Sequence, residues 1–95
     1  MTHEENVQLL CKAMLLLKTE EECNAFLDDL CSKAEKEEMA RRFRVALLLK
    51  EGNLYNDIVA ETGLSTATIS RVSRCLKRDG GYKLLLKRLE EDAGE

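Results

Sequence analysis

The chain has 95 residues, of which 44% are hydrophobic, 4% aromatic and 35% charged, with a formal net charge of −3. It lacks proline and tryptophan, which disfavours hairpin-rich β structure and aromatic platforms for single-stranded nucleic acid or carbohydrate. We expect one all-helical domain over residues 1–95, small enough for a second chain to help complete its core.

The longest apolar stretches without charge, residues 13–17 and 45–49, are far shorter than the roughly 20 residues of a membrane-spanning helix. The first residues do not resemble a secretion signal, with its charged and then apolar regions. We therefore expect a cytoplasmic protein that does not contact a membrane.

The four cysteines, Cys11, Cys23, Cys31 and Cys75, include no CxxC pair, and the single histidine, His3, lies in a terminus expected to fray. We therefore expect no metal site. A disulfide is an alternative, but three of the cysteines fall on apolar helical stripes, which favours buried free thiols.

Charge is distributed unevenly along the chain. Residues 1–40 contain 4 basic and 10 acidic side chains, whereas residues 65–88 contain seven basic side chains and one acidic one. A basic patch on an acidic body is suited to contact with phosphate at one face.

The first two helices are predicted from apolar spacing and capping signals. Helix 1 is expected over residues 4–18, with an apolar face formed by Val7, Leu10, Cys11, Met14 and Leu17. Thr19 with Glu22 forms a capping-box pattern that begins helix 2, which continues to about Cys31.

Helix 3 is expected to begin after Ser32, which forms a second capping-box pattern with Glu35, and to end before Gly52. Its expected apolar face contains Met39, Phe43, Ala46 and either Leu47 or Leu49. Further leucines, Leu15, Leu16 and Leu48, lie off the main stripes. Residues 4–51 therefore form either a wide internal core or the helices of an intertwined dimer.

Residues 55–76 fit a helix-turn-helix motif, in which two short helices pack closely across a glycine turn. Ile58 and Val59 are expected to face inward from the first helix. Gly63 stands where a left-handed residue is needed, Leu64 fills the turn and Ser65 is placed to cap the second helix.

The second helix of the motif has a buried stripe and an exposed face. Ile69, Val72 and Leu76 share the buried stripe. The side chains expected to contact DNA are small and polar at the start of the helix and basic towards its end: Ser65, Thr66, Ala67, Thr68, Ser70, Arg71, Arg74, Lys77 and Arg78. Beyond Arg74, the basic side chains, which include Lys83, Lys87 and Arg88, are either general phosphate contacts or solvated charges.

Residues 32–52 (SKAEKEEMARRFRVALLLKEG) and 67–77 (ATISRVSRCLK) resemble the tryptophan repressor superfamily. Together with residues 79–82 (DGGY), they are most similar to its short YerC/YecD-type homologues. The resemblance implies about six helices, an intertwined homodimer that presents two helix-turn-helix units to one side of the DNA, and transcriptional regulation.

The resemblance also bears on an effector pocket, for which the matching positions are Arg42, Arg71, Val72 and Cys75. Tryptophan-responsive members hold the indole between two arginines, which match Arg42 and Arg71. However, Val72 replaces a glycine that leaves space for the ring, and Cys75 replaces a serine that meets the amino group. We expect no cofactor and no tight binding of tryptophan; a different small-molecule effector stays open.

The leading hypothesis is a sequence-specific regulator of transcription, acting as a homodimer on double-stranded DNA and repressing its targets. The alternatives are a protein-interaction module with a helix-turn-helix scaffold, and DNA binding in replication or mobile-element function. An enzyme is not expected, because the sequence lacks a phosphate-cradling glycine loop and a nucleophile paired with a base. Residues 92–95 are expected to be disordered.

Overall fold

The computed structural model describes residues 1–94 and is all-helical over that range, which confirms the predicted fold class. Its six helices are α1 (His3–Met14), α2 (Glu20–Leu30), α3 (Lys33–Lys50), α4 (Tyr55–Thr62), α5 (Thr66–Leu76) and α6 (Gly81–Ala93). The chain divides within α3 into two compact units, unit 1 up to residue 36 and unit 2 from residue 37 onward. A single domain over residues 1–95 stays a prediction.

Helix α1 begins at a capping box that the sequence analysis missed. The Thr2 hydroxyl accepts from the Glu5 backbone N–H at 3.1 Å, and the Glu5 carboxylate accepts from the Thr2 N–H at 3.0 Å. The expectation of a frayed terminus at His3 is therefore wrong, because the two bonds satisfy backbone donors that open the helix.

Helix α1 ends at Met14 rather than at the predicted Lys18. The chain tightens into a turn in which the Leu16 and Leu17 N–H groups donate to carbonyls three residues back. Thr19 is the N-cap of α2 and is extended, with φ −132° and ψ 162°, so a continuous helix cannot pass through it.

The predicted caps of α2 and α3 are present. The Thr19 hydroxyl accepts from the Glu22 N–H at 3.1 Å, and the Glu22 carboxylate reaches one residue further back to the Lys18 N–H. At the start of α3, Ser32 and Glu35 form both bonds of a capping box. Two hydrogen bonds from Ser32 lower the pKa of Glu35. The bond from the Ser32 backbone has the larger effect, and the bond from its side chain has the smaller one.

No residue of α1 or α2 is buried. Cys11 and Cys23 are exposed free thiols, so the prediction of buried thiols is wrong for these two residues. Helical periodicity correctly identifies an apolar stripe, but nothing in the described chain covers the stripe at these positions. Cys31 and Cys75 are half-buried.

Unit 2 contains the hydrophobic core, in which α3 contributes its C-terminal half and α4, α5 and α6 complete the packing. Its buried residues are Val45, Ala46, Leu48, Ile58, Leu64, Ile69, Val72 and Leu86. The apolar pattern places Leu48 off the main stripe and Met39 on it, yet Leu48 is buried and Met39 is exposed. Three consecutive leucines cover about 200° of a helix, so spacing alone could not select the buried one.

Helix α6 extends through Asp92 to Ala93, and Gly94 is its C-cap. The predicted disorder of residues 92–95 is therefore wrong for Asp92 and Ala93, and Glu95 lies outside the described residues. Within residues 1–94, no helix combines the length and apolar character that crossing a bilayer requires.

Candidate nucleic-acid interface

The turn between α4 and α5 is closed by its own hydrogen bonds. Gly63 has φ +74° and ψ 4°, the left-handed conformation that the sequence predicted, and its N–H donates to the Val59 carbonyl at 2.9 Å. The buried Thr62 hydroxyl donates to the Ile58 carbonyl at 2.7 Å and accepts from the Leu64 N–H at 3.3 Å. With Leu64 buried as predicted, the two helices of the motif form a firmly closed corner.

Helix α5 begins as the sequence predicted. The Ser65 hydroxyl accepts from the Thr68 backbone N–H at 3.2 Å and also lies 3.1 Å from the Thr68 hydroxyl. Ile69 is fully buried and Val72 is 3% exposed, while Leu76 is half-buried against the same core. One face of α5 is thereby held by the core of unit 2 along most of its length.

The opposite face of α5 carries the predicted contact residues. Seven of them are exposed, namely Ser65, Thr66, Ala67, Arg71, Arg74, Lys77 and Arg78, and two are half-buried, namely Thr68 and Ser70. Spacing by four and three residues places Ala67, Arg71 and Arg74 on one stripe of α5, and Lys77 and Arg78 follow directly after the helix ends. The structure therefore brings these side chains together, although their contact with DNA stays a prediction.

The cations on this face are largely unpaired. Arg71, Arg74 and Lys77 form no ion pair with any residue between positions 1 and 94. Arg78 donates to the Cys75 Sγ at 3.4 Å. A polyanion that approached α5 would thus meet positive charges that are not paired with a carboxylate among residues 1–94.

Tyr55, the first residue of α4, belongs to the same surface, although the sequence pattern marks it only as a boundary of the motif. A hydrogen bond from the Ser73 side chain is the main cause that lowers its pKa below the ordinary value of 10.0; a bond from Ser70 and the charges of Lys77 and Arg74 act in the same direction. The Tyr55 hydroxyl, at the start of α4, therefore lies close to the second half of α5. In the sequence, the signal for this role of Tyr55 was the presence of a tyrosine at the first residue of the helix-turn-helix motif.

The residues proposed for an effector pocket do not together line the cavity beside Cys75, and an effector pocket stays a prediction. A cavity of about 360 Å³ adjoins Cys75 and is also lined by Phe43, Arg78, Gly80, Gly81, Tyr82 and Leu85. Arg42, which is half-buried, donates to Glu38 at 3.1 Å within its own helix, and Val72 is part of the core. Neither of them lines this cavity, nor does Arg71.

Comparison with known proteins identifies the family. The family described as Trp repressor protein matches residues 5–90. The uncharacterized protein YerC of Bacillus subtilis strain 168 is 48% identical over 87 residues, which cover 90% of this chain and 84% of YerC.

Two solved structures have similar folds. A TrpR-like protein from Eubacterium eligens superposes with a TM-score of 0.84 at 41% identity, covering 90% of each chain. A proposed Trp repressor from Staphylococcus aureus gives a TM-score of 0.84 at 39% identity over 95% of each chain. The chain therefore belongs to the Trp repressor family and is a short member of the YerC type, as its sequence predicted.

Proposed function

We propose that this protein is a sequence-specific regulator of transcription that binds double-stranded DNA, acts in the cytoplasm and has no enzymatic activity. The observation that carries the proposal is the outer face of α5, where small residues lead into Arg71 and Arg74. Both arginines are exposed, and neither has a carboxylate partner in the part of the chain that the structure describes. The helix-turn-helix fold and membership of a family of DNA-binding regulators support the same function.

The side chains of α5 suit different parts of a DNA duplex. Thr66 and Ala67 are small enough to let the start of the helix approach base edges in the major groove. Arg71 and Arg74 follow one and two turns later and have the donors to grip guanine edges or phosphates. Lys77 and Arg78 lie where α5 ends and are assigned to phosphate contact.

A homodimer is part of the proposal. Large apolar side chains in α1 and the turn after it are exposed, including Leu9 at 58%, Leu15 at 84% and Leu16 at 75%. An apolar surface of this kind favours association, and a second copy of the chain would cover it symmetrically. Sedimentation equilibrium is expected to give twice the chain mass of 10.8 kDa, and Leu16→Asp is expected to lower that mass.

We further propose that the protein is a repressor and does not respond to tryptophan. Val72 is packed in the core at 3% exposure, so its branched side chain occupies space that glycine would leave for a ring. Calorimetric titration with L-tryptophan should show no binding at micromolar concentrations. Repression is tested separately, with a reporter gene controlled by the selected DNA site.

The central experiment is selection of bound duplexes from a random pool by the purified full-length protein. We expect a two-fold symmetric consensus whose half-sites lie about one helical turn, or roughly 34 Å, apart. Binding to that duplex should weaken steeply with salt because phosphate contacts release counterions. A pool that stays random after selection would refute sequence-specific binding.

The site is tested with Arg71→Ala combined with Arg74→Ala, and with Lys12→Ala as the control. Lys12 is exposed in α1, outside the proposed interface. The double variant should weaken specific binding by about 1–3 kcal/mol for each arginine that reads a base, while the control should bind like the wild type. Equal binding by the double variant and the wild type would show that the interface lies elsewhere.

A further inference from the structure

A second cavity, distinct from the proposed effector position, lies in unit 2 where the end of α3, the second half of α5 and α6 meet. Its volume is about 600 Å³, and three leucines, Leu49, Leu76 and Leu86, form its apolar lining. Arg42, Arg71, Val72 and Cys75 do not contribute to it. A cavity of this size falls within the range of small-molecule sites.

The remaining lining is almost entirely cationic and consists of Ser73 and four lysines, Lys50, Lys77, Lys83 and Lys87. Two of the lysines are paired: Lys50 bonds Glu90 at 2.7 Å, and Lys83 bonds Asp79 at 3.3 Å. Lys77 and Lys87 form no ion pair with any residue that the structure describes. Two uncompensated positive charges therefore adjoin an apolar surface.

We propose that this cavity binds a free organic anion with an apolar body and a single carboxylate, such as a medium-chain fatty acid. The leucines would bury the body, and Lys77 and Lys87 would hold the carboxylate through charge-assisted hydrogen bonds. None of the described lining residues is aromatic, and none is a carboxylate that could bind a sugar or a base edge. This chemistry favours an aliphatic anion over a nucleotide.

A ligand in this cavity would also regulate DNA binding, and this step rests on the proposed function. Lys77 both lines the cavity and is assigned to phosphate contact. A carboxylate bound to Lys77 would compete with a DNA phosphate for the same ammonium group. We therefore expect the ligand to weaken DNA binding by a few-fold, which is about the effect of losing one exposed ion pair.

The test is a titration of the full-length protein with octanoate below its micellar concentration, followed by amide chemical shifts. We expect saturable shifts around Leu49, Leu76 and Leu86 and little change in α1. Lys77→Gln combined with Lys87→Gln should weaken binding about fivefold, whereas Lys12→Gln should not, and 1-octanol should bind more weakly than octanoate. DNA affinity is measured separately, with and without octanoate.

Each contrary result has a distinct meaning. Absence of saturable shifts at the leucines, in a protein that binds DNA, would overturn the cavity site and leave the proposed function intact. Saturable shifts in a protein without DNA affinity would support the cavity site and overturn the proposed function. Equal octanoate affinity in the double variant and the wild type would show that Lys77 and Lys87 do not recognise the carboxylate, and would overturn that part of the proposal. Lysine-dependent binding to phosphatidylglycerol vesicles, without binding of octanoate, would assign the surface to a lipid headgroup and refute a free carboxylate ligand.

Discussion

Replacing Gly63 by alanine should destabilise the protein through backbone conformation alone. Gly63 has φ +74°, and a Cβ built on it would meet no atom within 4 Å. No clash therefore contributes, and the cost is that of holding an L-residue in the left-handed region, about 1–2 kcal/mol. Asparagine, which tolerates this region better, should lose less than alanine.

The assay is urea unfolding followed by circular dichroism at one fixed protein concentration, because the stability of an oligomer depends on concentration. Gly81→Ala is the matched control. Gly81 is the first residue of α6, and a Cβ there also meets no atom within 4 Å. Alanine at this first helical position should stabilise by less than the roughly 0.5–1 kcal/mol gained in a helix interior, so the two variants should shift in opposite directions. A Gly63→Ala variant as stable as the wild type would refute the reasoning.

Three further predictions concern the core, a cap and the α4–α5 contact. Ile69→Ala should cost about 2–5 kcal/mol in urea unfolding because the side chain is fully buried; a loss below about 1 kcal/mol would contradict this packing. The lowered pKa of Glu35 stabilises the fold fully above the ordinary value of 4.5 and progressively less as pH falls through the folded-state pKa. Glu35→Gln should therefore flatten the loss of stability below about pH 4.5, and unchanged pH dependence would contradict the bonds from Ser32. Absorbance titration should place the pKa of Tyr55 below 10.0, and Ser73→Ala should raise it; identical titrations would exclude the bond between them.

Local signals in the sequence predicted the turn and the starts of α2, α3 and α5 well. The Ser32 and Ser65 caps depend on groups only three residues apart, and Gly63 depends on the conformation of one residue. Such features are encoded in adjacent residues and need no knowledge of the remaining fold. Thr62 was missed because its two hydrogen bonds exist only once the turn has formed.

Burial was harder to predict than helix position. Periodicity identified the stripe that contains Cys11 but not whether another element covers it, and Cys11 is exposed. The same limit applies to Leu48, which the pattern places off the main stripe although it is buried, because a run of three leucines offers three candidate faces. The position of Tyr55 beside α5 depends on how α4 packs against α5. The exposure of Cys11, the burial of Leu48 and the position of Tyr55 all depend on how the helices pack, which the spacing of residues within one helix does not show.

The closed turn between α4 and α5 has a thermodynamic consequence for the proposed complex with DNA. Because the turn is bonded to α4 as far as Leu64, and because Ile58, Leu64 and Ile69 pack in one core, α5 is held against α4 before any ligand arrives. Little conformational entropy would then be lost within the motif on association. Affinity differences between duplexes would reflect the contacts and deformation of the DNA itself, rather than a sequence-dependent ordering of the protein.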